Sequence, residues 1–326
     1  MPQILYRGEP VPLEPGEDVL SALLRAEIDA PHSCRAGCCQ SCMHRAIGGP
    51  PPSASQEGLS EAQIALGYFL PCICVPENDL SITPIDDKND RYEAEVYKID
   101  FMARDIVRLY LDHDPGFKYR SGQFLELIVK ENLSRHYSIA SFQETDAYLE
   151  LHIKIHDNGA MSHFITNKLK VGTTLKIAGP LGTCIYEGTD LNQPMVLLGA
   201  GTGLSPLEGI RREAFHRQHL GPIRLYHGAR TKEGLYSHAY LDKLAKAHKN
   251  FEYFSSYQDS FIEDQRDIAK ILLNKEKNLS ETMFFLCGGA GLVNRLKKDL
   301  FMNGVSLKNI RSDVFAPAKD SLAKTP

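Results

Sequence analysis

Along this chain of 326 residues the spacing of apolar positions changes character twice. In the first stretch, QILYRG and EPVPLEP read as two short strands around a turn, and GEDVLSALLRAEI as an amphipathic helix. HRAIGG, YFLPCICV and DLSITP follow as further short extended runs, with GLSEAQIALG as a small helical piece between them. PIDDKNDR, residues 84–91, is polar, charged and opens with a proline, which predicts a linker. From Tyr92 the runs EAEVYKID, DIVRLYLD, QFLELIVK, RHYSIASF, AYLELHIKIH and TLKIAGP alternate at short intervals, the pattern of an antiparallel barrel, with one helix expected from about Ser162 to Lys170. After Pro194 strands and helices take turns, from MVLLGA and LEGIRREAFHRQ to MFFLCGG and GLVNRLKKDLFMNG, which predicts a parallel α/β sheet. Length alone suggests about two domains; the pattern favours three, at residues 1–88, 91–188 and 190–326.

Composition changes little in this picture. With 43% hydrophobic and 24% charged residues, the chain is ordinary for a globular protein, so disorder, collagen and coiled coil are poor readings. Thirty-seven Lys and Arg against 41 Asp and Glu leave a net charge of -4 and no basic footprint for nucleic acid. That charge is unevenly spread: residues 1–88 hold 5 basic and 12 acidic side chains, a balance of -7, and the remainder holds 32 against 29, or +3. The longest apolar stretch, Ile64 to Val75, is interrupted by Gly67 and Pro71 and is too short to cross a bilayer. The N-terminus shows neither a basic region nor a long apolar one, so the expected location is the cytoplasm.

The cysteines carry the first chemistry. They stand at 34, 38, 39, 42, 72, 74, 184 and 287, six of them within residues 34–74. In a reducing compartment such density argues for metal binding or catalysis rather than disulfides. Zinc sites usually show two compact pairs of ligands. Here Cys34, four residues, Cys39, two residues and Cys42 form one loop, and Cys72 follows far downstream on a strand, which is the plant-type [2Fe–2S] spacing. Cys38 and Cys74 are read as non-ligands, and Cys184 as a small buried hydrophobe. The loop Cys34-Arg35-Ala36-Gly37-Cys38-Cys39-Gln40-Ser41-Cys42 resembles that of the plant-type ferredoxin family, CRxGxCGxC, with Gln40 where glycine is usual. The resemblance implies a β-grasp ferredoxin domain, its cluster held by Cys34, Cys39, Cys42 and Cys72.

Two motifs follow in the barrel. Arg135-His136-Tyr137-Ser138 supplies a cation for phosphate, a ring to stack on isoalloxazine and a hydroxyl near the reactive ring nitrogen. Gly159-Ala160-Met161-Ser162 opens a helical run, where free amides suit a phosphate. Between an apolar strand and a helix, Gly199-Ala200-Gly201-Thr202-Gly203-Leu204-Ser205-Pro206 is a GxGxGxxP loop whose glycines let amides approach a pyrophosphate. In this order the motifs resemble the ferredoxin–NADP reductase superfamily over residues 91–316. The resemblance implies that Arg135, Tyr137, Ser138, Gly159, Met161 and Ser162 hold FAD, and that Gly199, Gly201, Thr202, Gly203 and Pro206 hold the pyridine nucleotide. Cys287-Gly288 matches the family's late motif beside the nicotinamide, and Asp313-Val314-Phe315 its acidic-x-aromatic ending near the flavin. The residues placed at the reacting atoms are Ser138 and Cys287. Because hydride transfer needs no protein nucleophile, Cys287 is expected to shape the nicotinamide pocket. His136 and His152 read as structural.

The nucleotide choice rests on Phe254-Ser255-Ser256-Tyr257, where NADPH-using relatives place a serine–arginine pair; Tyr257 in the arginine position predicts NADH. The domain order is similar to that of reductase components of bacterial ring-hydroxylating dioxygenases and multicomponent monooxygenases. It implies hydride transfer from NADH to FAD, then single electrons through a [2Fe–2S] cluster to an oxygenase component docking on the acidic N-terminal domain, with no nucleic acid and no membrane span. A reductase for a deoxysugar-forming dehydrase, a stand-alone NADH:flavin or quinone reductase, and a colourless zinc-bearing interaction module are the alternatives.

Overall fold

The computed structural model describes residues 2–32, 35–37, 40, 42–59, 61–85, 91–130, 133–259 and 266–315. The chain divides into two compact units, Met1–Asn89 and Asp90–Pro326.

In the first unit, β1 (Ile4–Tyr6) and β2 (Glu9–Val11) form a hairpin, and α1 (Val19–Arg25) follows. Asp18 starts the helix by accepting the Ser21 amide at 2.9 Å, and Val19, Leu20, Ala22 and Leu23 are its buried face. Then come β3 (His44–Gly48), α2 (Glu61–Ala65), β4 (Tyr68–Phe69) and β5 (Leu80–Pro84), in a mixed sheet ordered β2-β1-β5-β3-β4. β1 and β5 run parallel. Cys72 does not lie on a strand, as the sequence suggested. Pro71 lacks an amide for the ladder, so β4 stops and Pro71–Ile73 form a 3-10 turn.

The second unit opens with a barrel of β6 (Arg91–Ala103), β7 (Ile106–His113), β8 (Phe124–Lys130), β9 (Leu133–Ser138), β10 (Leu149–Lys154) and β11 (Thr174–Leu181). All pairings are antiparallel, in the order β10-β7-β6-β11-β8-β9. Its two end strands meet through the Ile139–Leu151 bridge and the Ala140 amide on the Glu150 carbonyl at 2.8 Å, which closes the barrel. Leu109, Leu111, Leu149, Leu151 and Ile153 point inward. The one helix, α3 (Ala160–Asn167), starts two residues earlier than expected.

The same unit continues into a parallel sheet: β12 (Met195–Ala200), α4 (Leu204–His216), β13 (Ile223–Ala229), α5 (His238–Ala247), β14 (Phe251–Tyr257), α6 (Ile268–Lys275), β15 (Met283–Gly289), α7 (Ala290–Met302) and β16 (Ile310–Phe315). The order is β14-β13-β12-β15-β16. Alternate residues of the central strands feed two cores, Leu197, Leu225 and Phe285 on one face and Val196, Leu198, Phe284 and Leu286 on the other. Helices cover both faces. β16 was not foreseen as a strand, since Arg311, Ser312 and Asp313 hide any apolar alternation; it is held by its ladder with β15.

Chain order reverses between β12 and β15, and in such sheets the crevice beyond the strand ends at that point takes ligands. Two glycines allow the strand ends and α4 to converge there. A Cβ on Gly203 would stand 2.3 Å from the Cys287 carbonyl oxygen, and one on Gly199 2.7 Å from the Gly203 carbonyl. Gly203→Ala is therefore expected to destabilise the second unit by about 1–3 kcal/mol through overpacking. Gly291→Ala, in the first turn of α7 with nothing within 4 Å of its Cβ, should be neutral or stabilising by up to about 1 kcal/mol. Denaturant midpoints of the two variants check the contrast.

Candidate functional site

Two of the four expected cluster ligands, Cys42 and Cys72, lie among the described residues; Cys34 and Cys39, like Cys38, lie outside them. The fold brings the Cys42 and Cys72 thiols within hydrogen-bonding reach of one another. Burial, with Cys72 adding to it, pushes the Cys42 thiol up to about 11. Cys42 is buried and Cys72 half-buried, and a cation bound between two thiols would favour their thiolates. Cys74 belongs to the apolar core, where burial raises it to about 12, so its bystander role fits its surroundings. Gln40, standing where glycine is usual, adopts the left-handed backbone a glycine would supply, with φ of 57°, and its Nε2 donates to the Gly58 carbonyl at 3.0 Å. Gly37 is also left-handed, and a Cβ there would meet Ile73 Cδ1 at 2.8 Å.

A cavity of about 660 Å³ opens beside β9. Arg135, Tyr137, Ser138, Gly159, Met161, Ser162 and Phe315 all line it, so seven of the flavin residues expected from sequence meet at one place. The volume is that of a cofactor site. Tyr137 packs its ring against the barrel core, and burial raises its phenol. Ser162 Oγ accepts the His156 amide at 2.9 Å, fixing the turn that leads into α3. A Cβ on Gly159 would lie 2.9 Å from that oxygen. Ser138 Oγ, expected to face the flavin ring, donates to Asp313 Oδ2 at 2.8 Å. Burial pushes the Asp313 carboxyl up, and the Ser138 hydrogen bond opposes it. Lys154, His156, Asn158 and Ser205 also line the cavity and were missed. Lys154 and His156 fall at outward positions of an alternating run, so only the closed barrel shows what they face.

The glycine loop leaves β12 as a 3-10 turn, Gly201–Gly203, and runs into α4, whose N-cap has no side-chain hydrogen bond. Thr202 reaches the cavity wall; Gly199, Gly201, Gly203, Pro206 and Gly288 do not. Gly201 has φ of 55° and open space about its Cβ position, the condition for amides that face a ligand. Gly288 is also left-handed, with φ of 138°, and Pro206 is buried in the first turn of α4. The Cys287 side chain does not reach the cavity. It is fully buried, its Sγ 3.8 Å from Cys184 Sγ, and burial raises the thiol well above its ordinary value. A nucleophilic role is thereby excluded, and what Cys287 presents to the loop is its backbone carbonyl, against Gly203.

Beneath the loop, His227 pairs in register with Gly199, and its ring lies toward the Gly201 carbonyl. Burial lowers this imidazole to about 4.

These sites together define a redox protein that couples a pyridine nucleotide to a flavin and carries an iron–sulfur centre. Residues 5–77 match the 2Fe-2S iron-sulfur cluster binding domain, 94–186 the oxidoreductase FAD-binding domain and 197–298 the oxidoreductase NAD-binding domain. The chain thus carries iron–sulfur, FAD-binding and NAD-binding domains in that order and is an NAD(P)H oxidoreductase with a [2Fe–2S] cluster and FAD. It is 28% identical over 317 residues to terephthalate 1,2-dioxygenase, reductase component 1, of Comamonas sp, covering 94% of each chain. It is also 28% identical over 314 residues to the CDP-6-deoxy-L-threo-D-glycero-4-hexulose-3-dehydrase reductase of Yersinia pestis, covering 92% of this chain and 94% of that one. The crystal structure of an Amycolatopsis cytochrome P450 reductase superposes with a TM-score of 0.67 at 28% identity, covering 97% of this chain and 99% of the other. Among the described residues no helix is long and apolar enough to cross a membrane.

His227 gives the site a pH dependence of known sign. Its ordinary value is 6.5 and its folded value about 4, so between those limits the unfolded chain binds the proton first and stability falls as pH falls. The loss amounts to about 3 kcal/mol. In urea titrations at pH 7 and pH 4.5, His227→Phe is expected to lessen the acid-induced drop by a large part of that amount; an undiminished drop would show that His227 does not cause it.

Proposed function

We propose that the chain takes electrons from NADH and delivers them singly to an oxygenase component. NADH loses a hydride, two acceptor molecules each gain one of its two electrons, and the proton is released to solvent. When bound, the flavin accepts the pair and releases it one electron at a time, and the cluster relays single electrons. The observation that carries this reading is the meeting at one cavity of Tyr137 and Ser138 from the barrel, Thr202 from the glycine loop and Asp313 and Phe315 from β16.

In this reading Arg135 and the α3 amides bind the flavin phosphates, Tyr137 and Phe315 cover its ring, and Ser138 with Asp313 borders the reacting atoms. Gly201, Thr202 and the start of α4 take the nucleotide pyrophosphate, with Gly199, Gly203 and Pro206 shaping that loop. Cys287 and Gly288 form the backbone wall on the nicotinamide side, and Cys34, Cys39, Cys42 and Cys72 hold the cluster. Residues 1–88, 91–188 and 190–326 serve as iron–sulfur, flavin and nucleotide domains. The oxygenase reading rests on the dioxygenase reductase relative; a sugar-dehydrase partner is the second reading, favoured by an equally similar relative.

The preference for NADH is carried by Tyr257 at the carboxyl end of β14, where a 2′-phosphate would need a cation. Steady-state kcat/KM is expected to be at least about tenfold higher with NADH than with NADPH; the reverse order would refute the assignment. The acceptor is expected to dock on the acidic N-terminal unit, because opposite charge speeds encounter. Reduction of the oxygenase component should then slow by about tenfold or more between low and high ionic strength, and an insensitive rate would exclude electrostatic docking.

A further inference from the structure

Along β10 the inward positions Leu149, Leu151 and Ile153 fill the barrel, so Glu150 and His152 point out of it, toward the nucleotide-binding sheet. The Glu150 carboxylate is 4% exposed and gathers partners from three elements. Arg212 Nη1 of α4 donates at 2.8 Å, His152 Nε2 lies at 2.8 Å, and Arg108 Nε of β7 is ion-paired at 3.1 Å. Burial opposes ionisation of Glu150, but the hydrogen bond from His152 and the charge of Arg212 overcome it. Burial also keeps His152 below its ordinary value, hence neutral.

The tautomer follows. A carboxylate only accepts, so His152 Nε2 carries the proton, and Nδ1 is left to accept the Tyr236 hydroxyl at 2.8 Å. The Tyr236 ring stands edge-on to His227, centroids 5.7 Å apart, and His227 lies under the glycine loop. At the other end of the same contact, Ser205 Oγ in the first turn of α4 donates to the Ser138 carbonyl at 2.7 Å. The helix that follows the nucleotide loop is thus pinned at two points to β9 and β10, the strands that border the flavin cavity.

We propose that Glu150 is a positioning residue for hydride transfer: it sets α4, and with it the nucleotide loop, against the flavin-bearing strands. The proposal rests on the reading of the cavity as the flavin site and the loop as the nucleotide site. A carboxylate with directional partners from β7, β10 and α4 fixes a distance and an angle, which an apolar contact of the same area would leave free to slide. Transfer rate depends steeply on that geometry, whereas binding of each cofactor to its own half does not.

The test uses the full-length holoprotein and Glu150→Gln. Flavin bleaching by NADH and by 4-deuterated NADH is followed anaerobically by stopped flow, and flavin release is measured separately by fluorescence on dilution. The limiting rate per bound flavin should fall at least about tenfold with a changed isotope effect, while the Kd for NADH and the flavin release rate stay within about threefold. An unchanged rate and isotope effect, or a loss explained wholly by flavin release, would overturn the proposal. If Glu150→Gln does not fold, Tyr236→Phe removes one hydroxyl and leaves every charge paired; it should slow the limiting step by about threefold, and an unchanged rate there overturns the proposal equally. Failure of the underlying reading looks different: wild-type protein without flavin absorbance, or a flavin that NADH does not bleach.

Discussion

Three parts of the second unit converge on Ser138. Its carbonyl accepts the Ser205 hydroxyl from the start of α4, and its own hydroxyl donates to Asp313 from β16. Ser138 also ends β9 and precedes the Ile139 bridge that closes the barrel. A residue with such partners has little freedom, because displacement would cost buried hydrogen bonds and disturb the bridge beside it. The cavity wall inherits that rigidity. Sites built on sheet ends held in this way keep their geometry better than sites on free loops.

Around that anchor the glycines divide their work. Gly199 and Gly203 permit backbone to lie on backbone where β12, α4 and β15 converge, while Gly201 alone has an open Cβ position and the left-handed turn. A loop that reads as one motif is therefore part packing and part ligand surface. The buried charges nearby follow a similar division. Glu150 is satisfied by Arg212 and His152, and Glu208 takes Arg211 Nη2 at 2.7 Å. Buried ions of this kind add little net stability over apolar residues, but removing one partner strands the other as an unpaired buried charge and is strongly destabilising.

Much of this was legible in the sequence, for identifiable reasons. Strong alternation in DIVRLYLD and AYLELHIKIH gave the barrel, and MVLLGA before a glycine run gave the parallel sheet with its loop. The spacing of Cys34, Cys39, Cys42 and Cys72 gave the cluster domain. What stayed hidden depends on neighbours rather than on local pattern. β16 is polar through its middle, and only its ladder with β15 makes it a strand. Cys72 sits on a turn because Pro71 ends β4. Cys287, expected to pack and to shape the nicotinamide pocket, packs its thiol against Cys184, a partner remote in the sequence. Gln40 takes a backbone conformation that side-chain-bearing residues rarely adopt, tethered by a bond to Gly58 that no spacing rule reveals.

Asp313 and Phe315 stand on β16, the final described strand, and both border the cavity. During synthesis, the barrel strands and the glycine loop emerge well before this wall exists. Until β16 is made, the cavity lacks the side that Asp313 and Phe315 supply. That side of the cavity is therefore completed last, when β16 joins β15.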